Sequence, residues 1–329
     1  MQAHILETTD PTLNLAIEEL LVAKHKKDSP DLLLLWQNAK SIIIGRHQCT
    51  EEVIQASFVA DNSIPVVRRM TGGGAVYHDL GNLNFSFITS TVEPLTFEVK
   101  VFLEPLLAAL RQVGIEAQAS GRNDLEVLGK KISGTSQLRL GQTVLFHGTL
   151  LVNLDLAILD KALAVDPAKI HSKGVQSIAA RVVNLSTIWP QGTTLENLKD
   201  ALLTATKSKA SHLPQELEVE AIELANKKYR TWDWNYGASP PFTIAEHKRF
   251  PWGLVSLKVN VRKGLISSWQ ITGDFISLKD PEELAKLVLG KPWDIEILSQ
   301  IFATQPFEAY FVHCDPKQML AFFTGAIRG

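Results

Sequence analysis

The chain has 329 residues, 45% apolar and 21% charged, with 33 Lys and Arg against 35 Asp and Glu for a formal net charge of −2. That size suits one large or two ordinary soluble domains, and near-neutral charge without a long basic block excludes a general nucleic-acid binder. The longest apolar runs, Leu32–Trp36 and Ile42–Ile44, are too short to span a bilayer, and two cysteines, Cys49 and Cys314, with no basic-then-apolar leader predict a reducing cytoplasmic setting without disulfides.

Asp10-Pro11 supplies a helix cap and a first-turn proline. Leu13, Ile17, Leu20 and Leu21 then repeat at helical spacing, which predicts a helix from about Thr12 to Lys26. Asp31–Trp36 and Ser41–Gly45 flank Asn38-Ala39 and read as a strand pair joined by a turn. Ile64–Arg69 is a further strand feeding Gly72-Gly73-Gly74. Leu83, Phe85 and Phe87 alternate with Asn82, Asn84 and Ser86, the period of a half-buried strand. Leu106–Val113 is helical in pattern and stops at Gly114. Leu138–Asn153 carries a Gly141-Gln142 turn between two β-prone runs, and helices are expected near Leu195–Thr206 and Pro214–Lys228. Tyr236-Gly237-Ala238-Ser239-Pro240-Pro241 has the composition of a linker. Beyond it Leu254–Val261 and Leu265–Ile271 read as strands, and Asp280-Pro281-Glu282-Glu283 opens a helix that Gly290 closes. The expected division is a catalytic portion over residues 1–245 and a smaller α/β portion over 246–329.

Two segments carry the chemistry. The first runs Arg68-Arg69-Met70-Thr71-Gly72-Gly73-Gly74-Ala75-Val76-Tyr77-His78-Asp79-Leu80-Gly81-Asn82. Consecutive glycines allow positive φ and let a ligand touch bare backbone, whose N–H groups can form an anion-binding concavity. The run is not the dinucleotide fingerprint, because Tyr77 stands where its third glycine belongs, and Gly129-Lys130-Lys131 is not a P-loop, because no Ser or Thr follows the first lysine. An arginine at the strand end can hold a phosphate or carboxylate. The competing structural reading is a glycine-rich turn beside a solvated arginine edge.

The second segment joins Gly121-Arg122-Asn123-Asp124 to Gly129-Lys130-Lys131-Ile132-Ser133-Gly134. It reads as a strand edge with a turn at each end. Strand alternation puts Lys130 and Lys131 on opposite faces, so one ammonium can enter a cleft. Beside a phosphate it would stabilise developing negative charge, and Asp124 can orient it or hold Mg²⁺. The alternative is a surface hairpin bearing exposed lysines. Fixed cations, a carboxylate and open backbone together suit activation of a carboxylic acid on a nucleotide phosphate. His78 and His147 lack metal-site spacing and are expected to be an orienting residue and part of a cleft wall. Cys49 and Cys314 read as unreactive, and Trp232, Trp234 and Trp252 as packing at a domain junction.

These segments, with Trp36, Gly45-Arg46-His47-Gln48, His147-Gly148-Thr149-Leu150, Lys173-Gly174-Val175-Gln176-Ser177 and Arg181-Val182-Val183-Asn184-Leu185, resemble ATP-dependent lipoate–protein ligases over nearly the whole chain. The resemblance implies an α/β (α+β) fold, with a biotin/lipoate protein ligase-like catalytic domain and a small C-terminal α/β accessory domain. It implies conversion of lipoate and ATP to lipoyl-adenylate, followed by transfer to a lysine on lipoyl domains of 2-oxoacid dehydrogenase complexes or on the glycine-cleavage H protein. Lys131 would be the catalytic group. Arg69, Gly73, Gly74, Ala75, Val76, Tyr77, Asn82, Asp124 and Lys131 would hold ATP or the adenylate, with Mg²⁺ on Asp124. Trp36, Arg69, Gly74, His78, Lys131, His147 and Gly148 would hold lipoate. A cytoplasmic monomer with no nucleic-acid or membrane partner is expected. The chain departs from the family pattern at Thr71, where serine is frequent, at Thr135-Ser136 and at Cys49. Three other readings are an ATP-independent lipoyl or octanoyl transferase, a biotin ligase, and a non-catalytic lipoyl-domain binder. The complete motif set favours the ligase.

Overall fold

The computed structural model describes residues 1–48, 50–90, 99–120, 124–163, 179–236, 244–262, 265–292 and 295–325. Cys49, Gly121–Asn123, Lys173–Ser177 and Gly237–Pro241 of the linker lie outside the described residues. In chain order the N-terminal lobe has strands β1 (Gln2–Ile5), β2 (Leu32–Trp36), β3 (Ser41–Ile44), β4 (Val66–Arg68), β5 (Val76–His78), β6 (Asn82–Ser90), β7 (Gln118–Ser120), β8 (Asp124–Val127), β9 (Lys130–Leu140), β10 (Thr143–Leu151) and β11 (Lys209–Ser211). One eight-stranded sheet takes the order β11-β1-β2-β6-β10-β9-β8-β7, and β4-β3-β5 form a separate small sheet. Contrary to the strand-pair expectation, β2 and β3 therefore do not pair. β2 lies between β1 and β6, whereas β3 runs parallel to β4 and antiparallel to β5. Both runs are buried throughout, so local pattern cannot choose their partners.

The Pro11–Lys24 helix starts where expected, with the Asp10 carboxylate accepting from the Thr12 and Leu13 N–H groups at 2.8 and 3.4 Å. Its buried face packs with Leu34, Trp36, Ile43 and Val67. The Val99–Gln112 and Leu195–Ala205 helices join Leu33, Leu35, Phe85, Phe87 and Phe146 in a second core cluster. The first of these helices is longer than its sequence pattern showed, because Pro105, normally a helix breaker, lies inside it. In β6 the alternation sorts packing from chemistry. Leu83, Phe85 and Phe87 enter that core, while Asn82, Asn84 and Ser86 are buried as well instead of meeting solvent.

The expected hairpin is β9–β10, closed by Gly141-Gln142. The lysine segment has a turn only at its start. β9 runs through Ser133-Gly134 to Leu140, because Gly134 serves close approach: a Cβ there would lie 3.0 Å from Lys131 Nζ.

The C-terminal lobe is an antiparallel meander, β12 (Ile244–Phe250), β13 (Gly253–Arg262) and β14 (Leu265–Gly273). The helices Glu282–Val288, Ile295–Ala303 and Pro316–Gly325 pack on it around Trp252, Trp269, Phe302, Phe311 and Phe323. β12 escapes a sequence reading because its residues 245–248 are exposed and mostly polar. Trp252 belongs to this core and Trp234 to the N-terminal one, whereas Trp232 is exposed. The lobes meet at the glycine run. Gly73 N–H donates to Phe275 O at 3.0 Å, Gly273 N–H donates to His47 O, and the His47 ring stacks on Phe275 at 4.9 Å. No helix among the described residues is long and apolar enough to cross a membrane.

Candidate active site

The junction of the large sheet, the small sheet and the C-terminal lobe encloses a cleft of about 1340 Å³. Every site residue nominated from the sequence lines it, from Trp36 through the glycine run to Lys131 and Gly148. Lys131, on β9, is half-buried, and its ammonium lies 2.7 Å from the Asp124 carboxylate on the neighbouring strand β8. Its backbone is also fixed, since Lys131 O accepts from Val183 N–H at 3.0 Å.

The arginine pair is not a solvated edge. Arg68 is buried and its guanidinium donates to the carbonyls of Gly45, Arg46, Gln48, Trp234 and Asn235, a purely structural clamp. Arg69, also buried, donates to Thr71 Oγ1 at 3.0 Å and to the carbonyls of Ile43, Gly72 and Gly74 at 3.2, 2.6 and 2.9 Å. Holding Gly72 O and Gly74 O fixes the backbone on both sides of Gly73. That residue sits at φ +91°, where a Cβ would also approach Arg69 Nη2 to 2.9 Å. Burial, partly opposed by Glu18, pulls Arg69 down to about 10, so it remains a cation at neutral pH.

Beneath this clamp runs a buried chain. Arg69 Nε–H donates to Thr71 Oγ1, and the Thr71 hydroxyl meets His147 Nε2 at 2.7 Å. His147 Nδ1 meets Glu18 Oε1 at 2.8 Å, and that oxygen also accepts from Ser86 Oγ, itself the acceptor of Trp36 Nε1–H at 3.0 Å. A carboxylate only accepts, so His147 Nδ1–H donates to Glu18 Oε1. Glu18 is missed by a sequence reading, because an acid in an amphipathic helix is normally solvated. The available signal is position: Asn14 and Glu18 lie at i and i+4, on the face that also carries Leu15 and Val22.

His78 is buried and pushed down to about 3, by burial first and then by Arg69 and His147. Asn38 Oδ1 accepts from Asn14 Nδ2, so Asn38 Nδ2 donates to His78 Nδ1 at 3.0 Å and the proton sits on Nε2. His78 Nε2 and Asn82 Oδ1 have no hydrogen-bond partner among the described residues, and both residues line the cleft. A neutral donor and a neutral acceptor are thus held ready for a polar ligand. Leu15, Trp36, Ile43 and Val76 form an apolar stretch of the same wall. Burial pushes the Tyr77 phenol up, so it stays protonated. Gly148 allows tight packing, since a Cβ there would approach Phe85 Cζ and Gly134 O to 2.7 Å.

No cluster of three potential metal-ligating side chains occurs among the described residues. Asp124 fits Mg²⁺ only as one carboxylate alongside nucleotide oxygens, the usual magnesium arrangement. The C-terminal lobe adds His247, and Arg249 paired to Asp274 at 2.9 Å. Cys314 is buried and pushed up to about 12, an unreactive thiol.

Residues 10–207 match the model of the lipoyl protein ligase A/B catalytic domain, and residues 239–323 match that of the bacterial lipoate protein ligase C-terminus. The class is therefore a two-lobed acid-activating ligase. The chain belongs to the lipoate–protein ligase family: it is 41% identical over 318 residues to lipoate-protein ligase LplJ of Bacillus subtilis, covering 94% of this chain and 96% of that one. The crystal structure of P. falciparum LipL1 in complex with lipoate superposes with a TM-score of 0.83 at 27% identity, over 98% of this chain and 99% of the other. A crystal structure of lipoate-protein ligase A bound with ATP gives a TM-score of 0.62 at 26% identity, over 72% of this chain and 99% of the other.

Proposed function

We propose that this protein activates lipoate with ATP and transfers the lipoyl group to a lysine of an acceptor protein. The observation that carries the reading is the Lys131–Asp124 pair, 2.7 Å apart on one wall of the cleft that the Arg69-clamped glycine run also lines. In the first step a lipoate carboxylate oxygen attacks the α-phosphorus of ATP, and the bond to pyrophosphate breaks. In the second the acceptor ε-amine attacks the acyl carbon of lipoyl-adenylate. The bond to AMP breaks, and the amine loses a proton to solvent.

Such chemistry needs alignment and charge stabilisation more than a covalent nucleophile. The Lys131 ammonium neutralises charge on the α-phosphate and the acyl oxygen, and Asp124 aims it. Arg69 keeps the glycine run open, so that the Gly74–Tyr77 backbone meets the nucleotide. Asn82 Oδ1 and His78 Nε2–H supply one acceptor and one donor to polar groups, while Trp36, Leu15, Ile43 and Val76 enclose the acyl chain. Magnesium, when bound through Asp124 and nucleotide oxygens, supplies further neutralisation of phosphate charge. Lipoyl domains of 2-oxoacid dehydrogenase complexes and the glycine-cleavage H protein are the inferred acceptors, supported by family membership.

The test is lipoate-dependent exchange of labelled pyrophosphate into ATP. The wild-type protein exchanges it and Lys131→Ala does not. Absence of exchange in the wild type, alongside lipoyl transfer from a donor carrier protein, would establish an ATP-independent transferase instead.

A further inference from the structure

β8 and β9 are joined by a two-residue turn, Leu128-Gly129, with Val127 paired to Lys130. Both turn residues have positive φ, +52° at Leu128 and +73° at Gly129, as the tightest hairpin turns require. Glycine suits that backbone. Leucine does not: its Cβ crowds the following carbonyl, and Asn or Asp is the residue such a turn selects. Leu128 recovers nothing by packing, since it is 91% exposed. An apolar side chain that is both strained and solvated is poorly explained by the stability of this protein alone. Strained residues concentrate where a molecule meets something else.

The position of the tip says what that is. Leu128 lies on the rim of the cleft, three positions from Lys131 on the same hairpin. The parallel bridge of Lys131 to Val182 sets Arg181 beside Lys130, and both cations are exposed at the same rim. An acceptor lysine has to pass this rim to reach an acyl group held at Lys131. The surface around that lysine then meets an apolar tip flanked by two positive charges, which selects a partner whose own face is acidic with an apolar spot.

We propose that the Leu128-Gly129 tip, with Lys130 and Arg181, is the docking point for an acidic face of the acceptor protein around its target lysine, an inference that rests on the ligase reading above. Docking here holds the acceptor against β9, the strand that carries Lys131, so register between lysine and acyl carbon is set by one hairpin.

The experiment uses the full chain, an unlipoylated lipoyl domain as acceptor, and Leu128→Asn, which gives the Asn-Gly turn that this backbone favours. Pyrophosphate release with lipoate and ATP, and trapping of lipoyl-adenylate by hydroxylamine, should match wild type, because neither needs a docked protein. The KM for the lipoyl domain should rise about tenfold or more, as for loss of an interface anchor. Lys130→Glu with Arg181→Glu should raise the same KM and flatten its dependence on salt. Unchanged KM in both variants overturns the proposal. So does loss of hydroxylamine-trapped product by Leu128→Asn, which would place the tip in the adenylation machinery. A wild-type dimer that Leu128→Asn dissociates overturns it in favour of self-association. If the wild type releases no pyrophosphate, the ligase reading itself fails, whatever the variants do.

Discussion

The floor of the cleft and its rim differ in how their charges are held. On the floor, Glu18 is 1% exposed, and the donors of His147, Thr71, Ser86 and Arg69 are arranged in a directed chain toward it. At the rim, Lys130, Arg181 and Leu128 stand in solvent, and even Lys131 and Asp124 keep about a third of their side chains exposed. A buried charge needs donors to be tolerable. Glu18 accepts from His147 and Ser86 on Oε1, while Oε2 has no hydrogen-bond partner among the described residues, so the floor is organised around one carboxylate oxygen. Rim charges cost little to expose and remain free to exchange partners for phosphate, carboxylate or protein. Preorganisation and access are thus assigned to different layers of one cleft.

Breaking the floor should have the largest effect. Glu18→Ala removes the terminal acceptor of a buried network and should cost about 3–5 kcal/mol in urea unfolding, as for other half-broken buried pairs. Adenylate formation should fall with it, because His147 and Ser86, which line or support the cleft floor, lose their shared acceptor. A stability change below 1 kcal/mol would show that the chain holds nothing in place.

At the rim the effect should be on rate instead of stability. Lys131→Ala should lower adenylation by about 3 kcal/mol of transition-state stabilisation, roughly two orders of magnitude. Its melting temperature should stay near wild type, since the side chain is half-exposed. Near-normal pyrophosphate release would remove Lys131 from the mechanism.

Acid sharpens the same contrast. Burial holds His47 and His78 neutral, at about 3 against an ordinary 6.5. Below 6.5 the unfolded chain binds protons that the folded chain refuses, so stability falls as pH drops from 6.5 toward 3. Each histidine should contribute about 2 kcal/mol of that loss between pH 6.5 and 5. A flat unfolding free energy across that interval would contradict their neutral burial.

The smallest effect is expected at the Arg46–Glu282 pair, 4.0 Å apart between the lobes with Glu282 largely exposed. Glu282→Gln should change stability by less than about 1 kcal/mol. A larger loss would mean that this contact, and not the His47–Phe275 stack, holds the lobes together.

Much of the site was legible locally. Glycines in a row announced bare backbone, and strand alternation in the Gly-Lys-Lys-Ile-Ser-Gly segment separated a half-buried lysine, Lys131, from an exposed one at the cleft rim, Lys130. What stayed hidden depended on partners distant in sequence. Glu18 meets His147 across 129 positions and Ser86 across 68. Arg68 and Arg69 are adjacent and chemically identical, yet one is spent on framework carbonyls and the other steadies the glycine run. β2 and β3 are equally apolar and enter different sheets. β12 looks like loop because the exposed residues near its start give it no apolar period.

The sequence by itself determined the Asp10 cap of the first helix, the alternation of β6, the turn of the β9–β10 hairpin and the family, because each is written in residues a few positions apart. Only the tertiary structure decided which buried polar groups face each other, which arginine serves the cleft, and how the C-terminal lobe closes on Gly73 through Phe275. Those outcomes depend on burial, and burial belongs to the packed chain as a whole.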